Sequence, residues 1–244
     1  MPSYTASMTI RSRIEAARER IDRAAAAAGR TDTVTIELAA KTQTSETCRE
    51  AAQSLADIGL PVLLGHNRVQ EARATAEAIR EVPGAEIHLI GPLQTNKINQ
   101  ALRCVDAIET IDSPELAAAV DQRAPGELPV FVQVNVSGEE SKHGCSPDGV
   151  DRVVEAVVAS ENLRLRGFMT IGLHSEVEKA VRAGYSALFG IRSRVAQSCS
   201  IDEGELALSM GMSEDAEWAI FEGATIVRLG KAVFGPRPEK GQSA

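Results

Sequence analysis

Eight short apolar segments, each set off from the next by a stretch of helical spacing, constrain this chain more than any other feature. They are 34–40, 61–65, 86–90, 105–111, 130–135, 163–169, 205–209 and 225–229. Helical stretches such as 45–58, 68–81, 114–122, 148–160 and 177–197 lie between them. Strands alternating with helices imply a parallel sheet. Eight such repeats in 244 residues, with no linker between them, predict an α/β fold that is a single (β/α)8 TIM-type barrel. An open doubly wound sheet is the runner-up, but the glycine-rich dinucleotide turn it usually carries is missing. Residues 11–28 predict an extra N-terminal helix, with Ile10, Ile14, Ala17, Ile21, Ala24 and Ala28 on one face. Its arginines interleave with acids, which favours a solvated face over nucleic-acid binding. The expected layout is one domain over 1–244, a barrel over about 10–235 and a short polar tail.

Hydrophobic residues make up 43% of the chain but aromatics only 3%, so the core must be aliphatic. A formal net charge of −8 disfavours nucleic acid and anionic membrane as partners. No apolar run reaches the length of a membrane span, and MPSYTASMTIRSR lacks the apolar core of a signal peptide. Cys48, Cys104, Cys145 and Cys199 show no CxxC spacing, and the histidines form no HxxxH pair. Reduced thiols, a cytoplasmic location and no metal site are therefore expected.

The two-residue period of strands sorts side chains by face. Val34, Ile36, Leu38 and Ala40 should face the helices, with Thr35, Glu37, Ala39 and Lys41 inward. The same split places Phe131, Gln133, Asn135, Glu205, Ala207, Ser209, Ile226 and Arg228 inside. Lys41, Asn135, Ser209 and Arg228 thus point inward at C-terminal strand ends, where barrels build their active sites. Of six lysines against twenty arginines, Lys41, Lys97, Lys142 and Lys231 follow strand ends. A lysine there suits a Schiff base or a phosphate contact, and Lys41 is the best nucleophile; a solvated loop lysine is the competing reading. Ser209-Met210-Gly211-Met212-Ser213 and Gly230-Lys231 follow the last two strands, where barrel phosphate sites form. Ser213 reads equally as an N-cap with Glu214 and Asp215 in the first helical turn. Arg228 faces either a ring bound in the mouth or a salt bridge to Glu37 or Glu205.

Several segments carry a family resemblance. They are Leu38-Ala39-Ala40-Lys41-Thr42, Gly65-His66-Asn67-Arg68-Val69-Gln70-Glu71, His88-Leu89-Ile90-Gly91-Pro92-Leu93-Gln94-Thr95-Asn96-Lys97, Gln133-Val134-Asn135-Val136, Glu140-Ser141-Lys142-His143-Gly144 and Leu165-Arg166-Gly167-Phe168-Met169. With the two phosphate-end segments, they make the chain resemble the YggS/PROSC family of pyridoxal phosphate homeostasis proteins over about residues 10–235. The resemblance implies a barrel like the N-terminal domain of alanine racemase and pyridoxal 5'-phosphate (PLP) held as a Schiff base on Lys41. It implies phosphate contacts at Ser209, Gly230 and Lys231, Arg228 near the pyridine nitrogen, and Asn67, Asn135 and Met169 in the cofactor-binding set. Two departures stand out. His66 replaces an acidic residue expected near the mouth, and Lys231 stands where threonine is common.

The resemblance implies a PLP carrier acting in intracellular homeostasis, without an established turnover reaction. PLP itself is the expected partner, apo PLP-dependent enzymes are the implied acceptors, and a monomer is expected. Two-base racemisation needs a second base from a further domain, for which the tail after Gly235 leaves no room; Tyr4 and Tyr185 lie at no predicted strand end. The alternatives are a PLP-dependent amino-acid enzyme with one-base chemistry (a slow racemase or transaminase) and a cofactor-free Schiff-base aldolase. Lys142, in the polar segment 137–144, is a further candidate to hold PLP transiently.

Overall fold

A computed structural model describes residues 8–139 and 141–235. Tyr4, Glu140, Lys240 and the tail after Gly235 lie outside them. Eight parallel strands close into a barrel in chain order. They are β1 (Thr35–Ala39), β2 (Leu63–His66), β3 (Glu86–Leu89), β4 (Ala107–Ile111), β5 (Leu128–Gln133), β6 (Leu163–Met169), β7 (Ala207–Met212) and β8 (Ile226–Leu229). The helices are α1 (Ile10–Ala27), α2 (Ser45–Asp57), α3 (Val69–Arg80), α4 (Ile98–Ala101), α5 (Pro114–Asp121), α6 (Val150–Val158), α7 (Glu178–Cys199), α8 (Ala216–Phe221) and α9 (Lys231–Phe234). The barrel expected from the alternation is what forms, with the additional N-terminal helix.

Local signals explain several helix starts. Thr9, Thr44 and Ser113 accept the Ser12, Thr47 and Leu116 backbone N–H groups, satisfying donors that a first helical turn leaves open. Pro114 occupies the first turn of α5, where its missing N–H costs nothing.

Two cores result. The outer core holds Val34, Ile36, Leu38 and Ala40 with Val130, Val132 and Val134 and the buried helix faces. Each fully buried Leu or Ile contributes roughly 1.5–3 kcal/mol. A small inner core of Leu63, Phe131, Met169 and Ile226, with Ala207 and Ile171 against it, fills the barrel lumen. The period-two assignment of faces in β1, β5 and β8 therefore holds.

One strand slipped. The segment 205–209 was expected as strand, but Glu203–Glu205 form a 3₁₀ turn begun by Asp202, whose carboxylate accepts the Gly204 N–H at 2.7 Å. Glu205 is exposed, so its inward assignment is corrected, and with it the proposed Glu205–Arg228 salt bridge. Strand β7 starts at Ala207 instead and runs on to Met212.

The arginines of α1 are not merely solvated. Arg13 donates to the Val233 carbonyl at 3.2 Å, Arg18 to Val34 at 3.1 Å and Arg20 to Ser213 at 2.8 Å. The helix packs against α2, α8 and α9, and its guanidinium groups fasten the loop after β7 and the turn after β8. Among the described residues no helix is long and apolar enough to cross a membrane. All four cysteines are free, and burial pushes the Cys48 and Cys145 thiols up to about 11.

Candidate functional site

Lys41 lies two residues beyond the end of β1 and is half-buried. The chain turns sharply there. Thr42 adopts φ +58°, a left-handed conformation uncommon outside glycine. Its hydroxyl and the Gln43 amide both donate to the Lys41 carbonyl, at 2.7 and 3.1 Å. Strain of this kind persists where surrounding bonds fix it, and it gathers at functional sites. Lys97, Lys142 and Lys231 likewise lie in the segments after β3, β5 and β8.

The turn after β8 lies against the end of β1, two residues short of Lys41. Leu38 pairs with Leu229 across the β1–β8 ladder. A Cβ on Gly230 would stand 3.3 Å from the Ala39 carbonyl, so only glycine leaves this approach relaxed. At the same turn the Ser213 hydroxyl accepts the Ala232 N–H at 3.3 Å. Ser213 is not the N-cap considered for it, because α8 begins at Ala216 with Asp215 before it. Asp215 holds this loop from both sides. One carboxylate oxygen accepts the Met212 N–H at 2.6 Å, and the other accepts the Tyr185 hydroxyl at 2.7 Å. Burial and the Asp215 charge push the Tyr185 phenol well above its ordinary range. Lys231 turns outward, its ammonium 3.3 Å from Glu214 at an exposed position, so it adds no charge inside the mouth.

Ser209 and Arg228 form a unit. Ser209 is fully buried. The Arg228 guanidinium donates to its carbonyl and hydroxyl at 2.7 and 2.8 Å, and to the Thr170 carbonyl at 2.6 Å. The Ser209 hydroxyl accepts from Arg228 and keeps its own O–H to donate, while Ser213 is the serine at the β8 turn. Both serines lie in the one motif, and the sequence favoured Ser209 for the phosphate. The Arg228–Glu37 salt bridge considered for Arg228 does not form as a contact, although the two are ladder partners.

Of the other expected contacts, Met169 is fully buried in the inner core and floors the mouth. Asn67 follows β2, and its amide oxygen is buried without a partner. A Cβ on Gly91 would collide with the Asn67 carbonyl, so the β3 loop closes over it. Asn135 has its side chain committed to its own loop, donating to the Glu139 and Lys142 carbonyls and accepting from Ser137 and Gly138. Lys142 is tied to the Glu139 carboxylate at 2.7 Å and the Gly172 carbonyl at 2.8 Å.

His66 is a correction. Gly65 faces inward, so His66 faces outward under α3, where it shares a 3.1 Å hydrogen bond with the Thr75 hydroxyl. Burial lowers it to about 4, so it is neutral and perturbs nothing in the mouth.

The lumen holds a group that sequence reasoning missed. Glu37, His88 and Glu109, from β1, β3 and β4, are all buried. His88 Nδ1 lies 2.7 Å from Glu109 and 3.9 Å from Glu37. Gly65 makes room, since a Cβ there would strike the Glu37 carboxylate. Burial, then repulsion from Glu109, push Glu37 up to about 8 despite His88 and Arg228. Burial alone would lower His88, but the hydrogen bond to Glu109 and the nearby Glu86 and Glu37 carboxylates outweigh it and hold the imidazole at about 10. A groove of about 510 Å³ with Arg30, Phe189, Arg192, Phe221 and Thr225 in its lining lies at the other end of the barrel, the face that serves stability in this architecture.

Comparison with known proteins gives the family and the fold. Residues 13–238 match the family model "Alanine racemase, N-terminal domain". A pyridoxal phosphate homeostasis protein of Pseudomonas aeruginosa is 38% identical over 235 residues, covering 94% of this chain and 96% of the relative. A crystal structure of an unknown protein from Bifidobacterium adolescentis is 36% identical, with TM-score 0.84, over 92% of this chain and 94% of that one. PipY of Synechococcus elongatus, solved with PLP bound, is 26% identical, with TM-score 0.77, over 93% of this chain and all of that one.

Proposed function

The chain belongs to the alanine racemase N-terminal-domain family, among its pyridoxal phosphate homeostasis proteins, and from that premise we propose that it binds PLP as a Schiff base on Lys41 and holds it for delivery. The observation that carries this reading is the contact of the Lys41 strand end with the Gly230 turn. It brings the turn after β8 against the strand end that Lys41 follows, which supports an amine and a phosphate site at the same end of the barrel.

The residues present fit the cofactor. The buried Asn67 amide oxygen lacks a partner and accepts a donor at the mouth. Ser213, Gly230 and Lys231 hold the phosphate, the last two through backbone N–H groups. Met169 supports the ring, and Arg228 faces its nitrogen. PLP supplies an aldehyde that condenses reversibly with an amine and a ring that withdraws electrons when its nitrogen is protonated. A fixed guanidinium disfavours that proton. Ser209 keeps Arg228 in place, and Asn135 and Lys142 shape the rim.

The state of Tyr185 supports holding over turnover. Tyr185 is the one tyrosine among the described residues, and its hydroxyl is buried and donated to Asp215, so it is no second base. A monomer working as one domain over 1–244 completes the reading. Free thiols suit a reducing cytoplasm, and the acceptors are apo PLP-dependent enzymes.

Titration of the purified protein with PLP tests this. The reading expects a yellow band at about 420 nm that saturates at one PLP per chain and is lost in Lys41→Ala. A Lys41→Ala variant that stays yellow would overturn the assignment, and turnover of an amino acid well above that of free PLP would favour an enzyme.

A further inference from the structure

We propose that Glu37, His88 and Glu109 form a binding site for one divalent first-row transition-metal cation in the barrel lumen. The donor atoms come one from each of β1, β3 and β4 and lie within 4.8 Å of one another. A cation sitting about 2.1 Å from each donor accommodates donor separations of about 3–4 Å. The observed 2.7 and 3.9 Å from His88 to Glu109 and Glu37 lie close to that range, and the third pair lies within 4.8 Å.

A second observation points to a ligand. Glu37 is fully buried, and neither of its carboxylate oxygens has a hydrogen-bond partner; Glu109 has a third such oxygen. Unpaired buried carboxylate oxygens are costly. Among the described residues no donor lies within hydrogen-bond distance of them. The one proton on His88 Nδ1 goes to Glu109 Oε1. The Nη1 and Nη2 groups of Arg228 are committed to Ser209 and Thr170. A proton on Glu37 could be shared with the free Glu109 oxygen, but that still leaves one buried Glu37 oxygen unpaired. A single cation satisfies all three oxygens.

The surroundings suit this chemistry. His88 Nε2 lies 3.7 Å from Glu86, the outer carboxylate that commonly orients a ligating imidazole. Phe131 packs its ring 6.0 Å from that of His88 and keeps the lumen apolar on that side. One imidazole with two carboxylates favours Mn²⁺, Fe²⁺, Co²⁺ or Zn²⁺ over Ca²⁺ and Mg²⁺, which take oxygen donors. Binding must displace the protons held by Glu37 and His88. The site needs no PLP, so it stands or falls apart from the function proposed above.

The test loads the full chain with Co²⁺, with and without added PLP, removes excess metal by gel filtration, and measures bound metal and thermal stability. About one Co²⁺ per chain without PLP, with a raised Tm, is expected, and retention should fall at least tenfold in Glu37→Gln and in Glu109→Gln. Should either variant fail to fold, the cobalt spectrum of the unaltered protein decides, because carboxylate and imidazole ligands give no thiolate charge-transfer band. No retained metal, retention only with PLP, undiminished retention in folded variants, or a thiolate band would each overturn the proposal.

Discussion

Arg228 of β8 grips Ser209 of β7 with one guanidinium nitrogen, which donates to both its carbonyl and its hydroxyl, while a second takes the Thr170 carbonyl just past the end of β6. The fork geometry of arginine makes this possible, and lysine cannot reproduce it. Arg228→Lys should cost about 2–4 kcal/mol of stability by urea unfolding, because buried carbonyls lose charged donors. A loss below about 0.5 kcal/mol, the size of an ordinary surface substitution, would show that the network contributes little.

The same contact separates the two serines. Ser213→Ala should weaken PLP binding about tenfold, the scale of one hydrogen bond to a charged group. Ser209→Ala should leave PLP affinity within about threefold and cost about 1 kcal/mol of stability. Spectral titrations of both variants check this, and the reverse ranking would return Ser209 to the phosphate.

The N-terminal helix should matter for binding at a distance. Arg20 donates to the Ser213 carbonyl and pairs with Glu217 at 2.9 Å. Arg20→Ala should raise the PLP Kd by about two- to fivefold through a looser loop, a few tenths of a kcal/mol to about 1 kcal/mol. The substitution should leave the fold intact by circular dichroism.

Stability should fall on both sides of neutrality. His66 is depressed from 6.5 to about 4, so the unfolded chain takes up the proton first, and stability is lost as pH falls from 6.5 towards 4. His66→Gln should flatten that limb. Glu37, which faces His88, Glu109 and Arg228, is raised from 4.5 to about 8, and His88, which also faces Glu86, from 6.5 to about 10. Folded protein holds these protons more tightly, so their contribution is lost as pH rises from 4.5 to 8 and from 6.5 to 10. Thermal melts of metal-free protein from pH 4 to 10 check both limbs, and Glu37→Gln should flatten the alkaline one.

The barrel was legible because its signal is periodic and local. Leu163–Met169 alternates with its neighbours and forms strand over the span its pattern predicts. Alternation misled at 205–209, where Asp202 captures the Gly204 N–H and turns Glu205 out. Lys41 and Gly230 each declared themselves by position at a strand end. Ser213 did not, because the choice between two serines of one motif depends on which reaches the β8 turn and which is consumed by Arg228. His66 could have been placed from its neighbour, since an inward Gly65 forces it outward. The Glu37–His88–Glu109 group joins residues far apart in the chain, and only strand order and stagger bring them together.

The central claim is that Lys41 carries the cofactor. Borohydride reduction of PLP-loaded protein, followed by peptide mass spectrometry, tests it most directly. The account predicts a stable phosphopyridoxyl label on the peptide containing Lys41, near one per chain, with Lys97, Lys142 and Lys231 unlabelled. A label mainly on any of those three, or no label at saturating PLP, would contradict it.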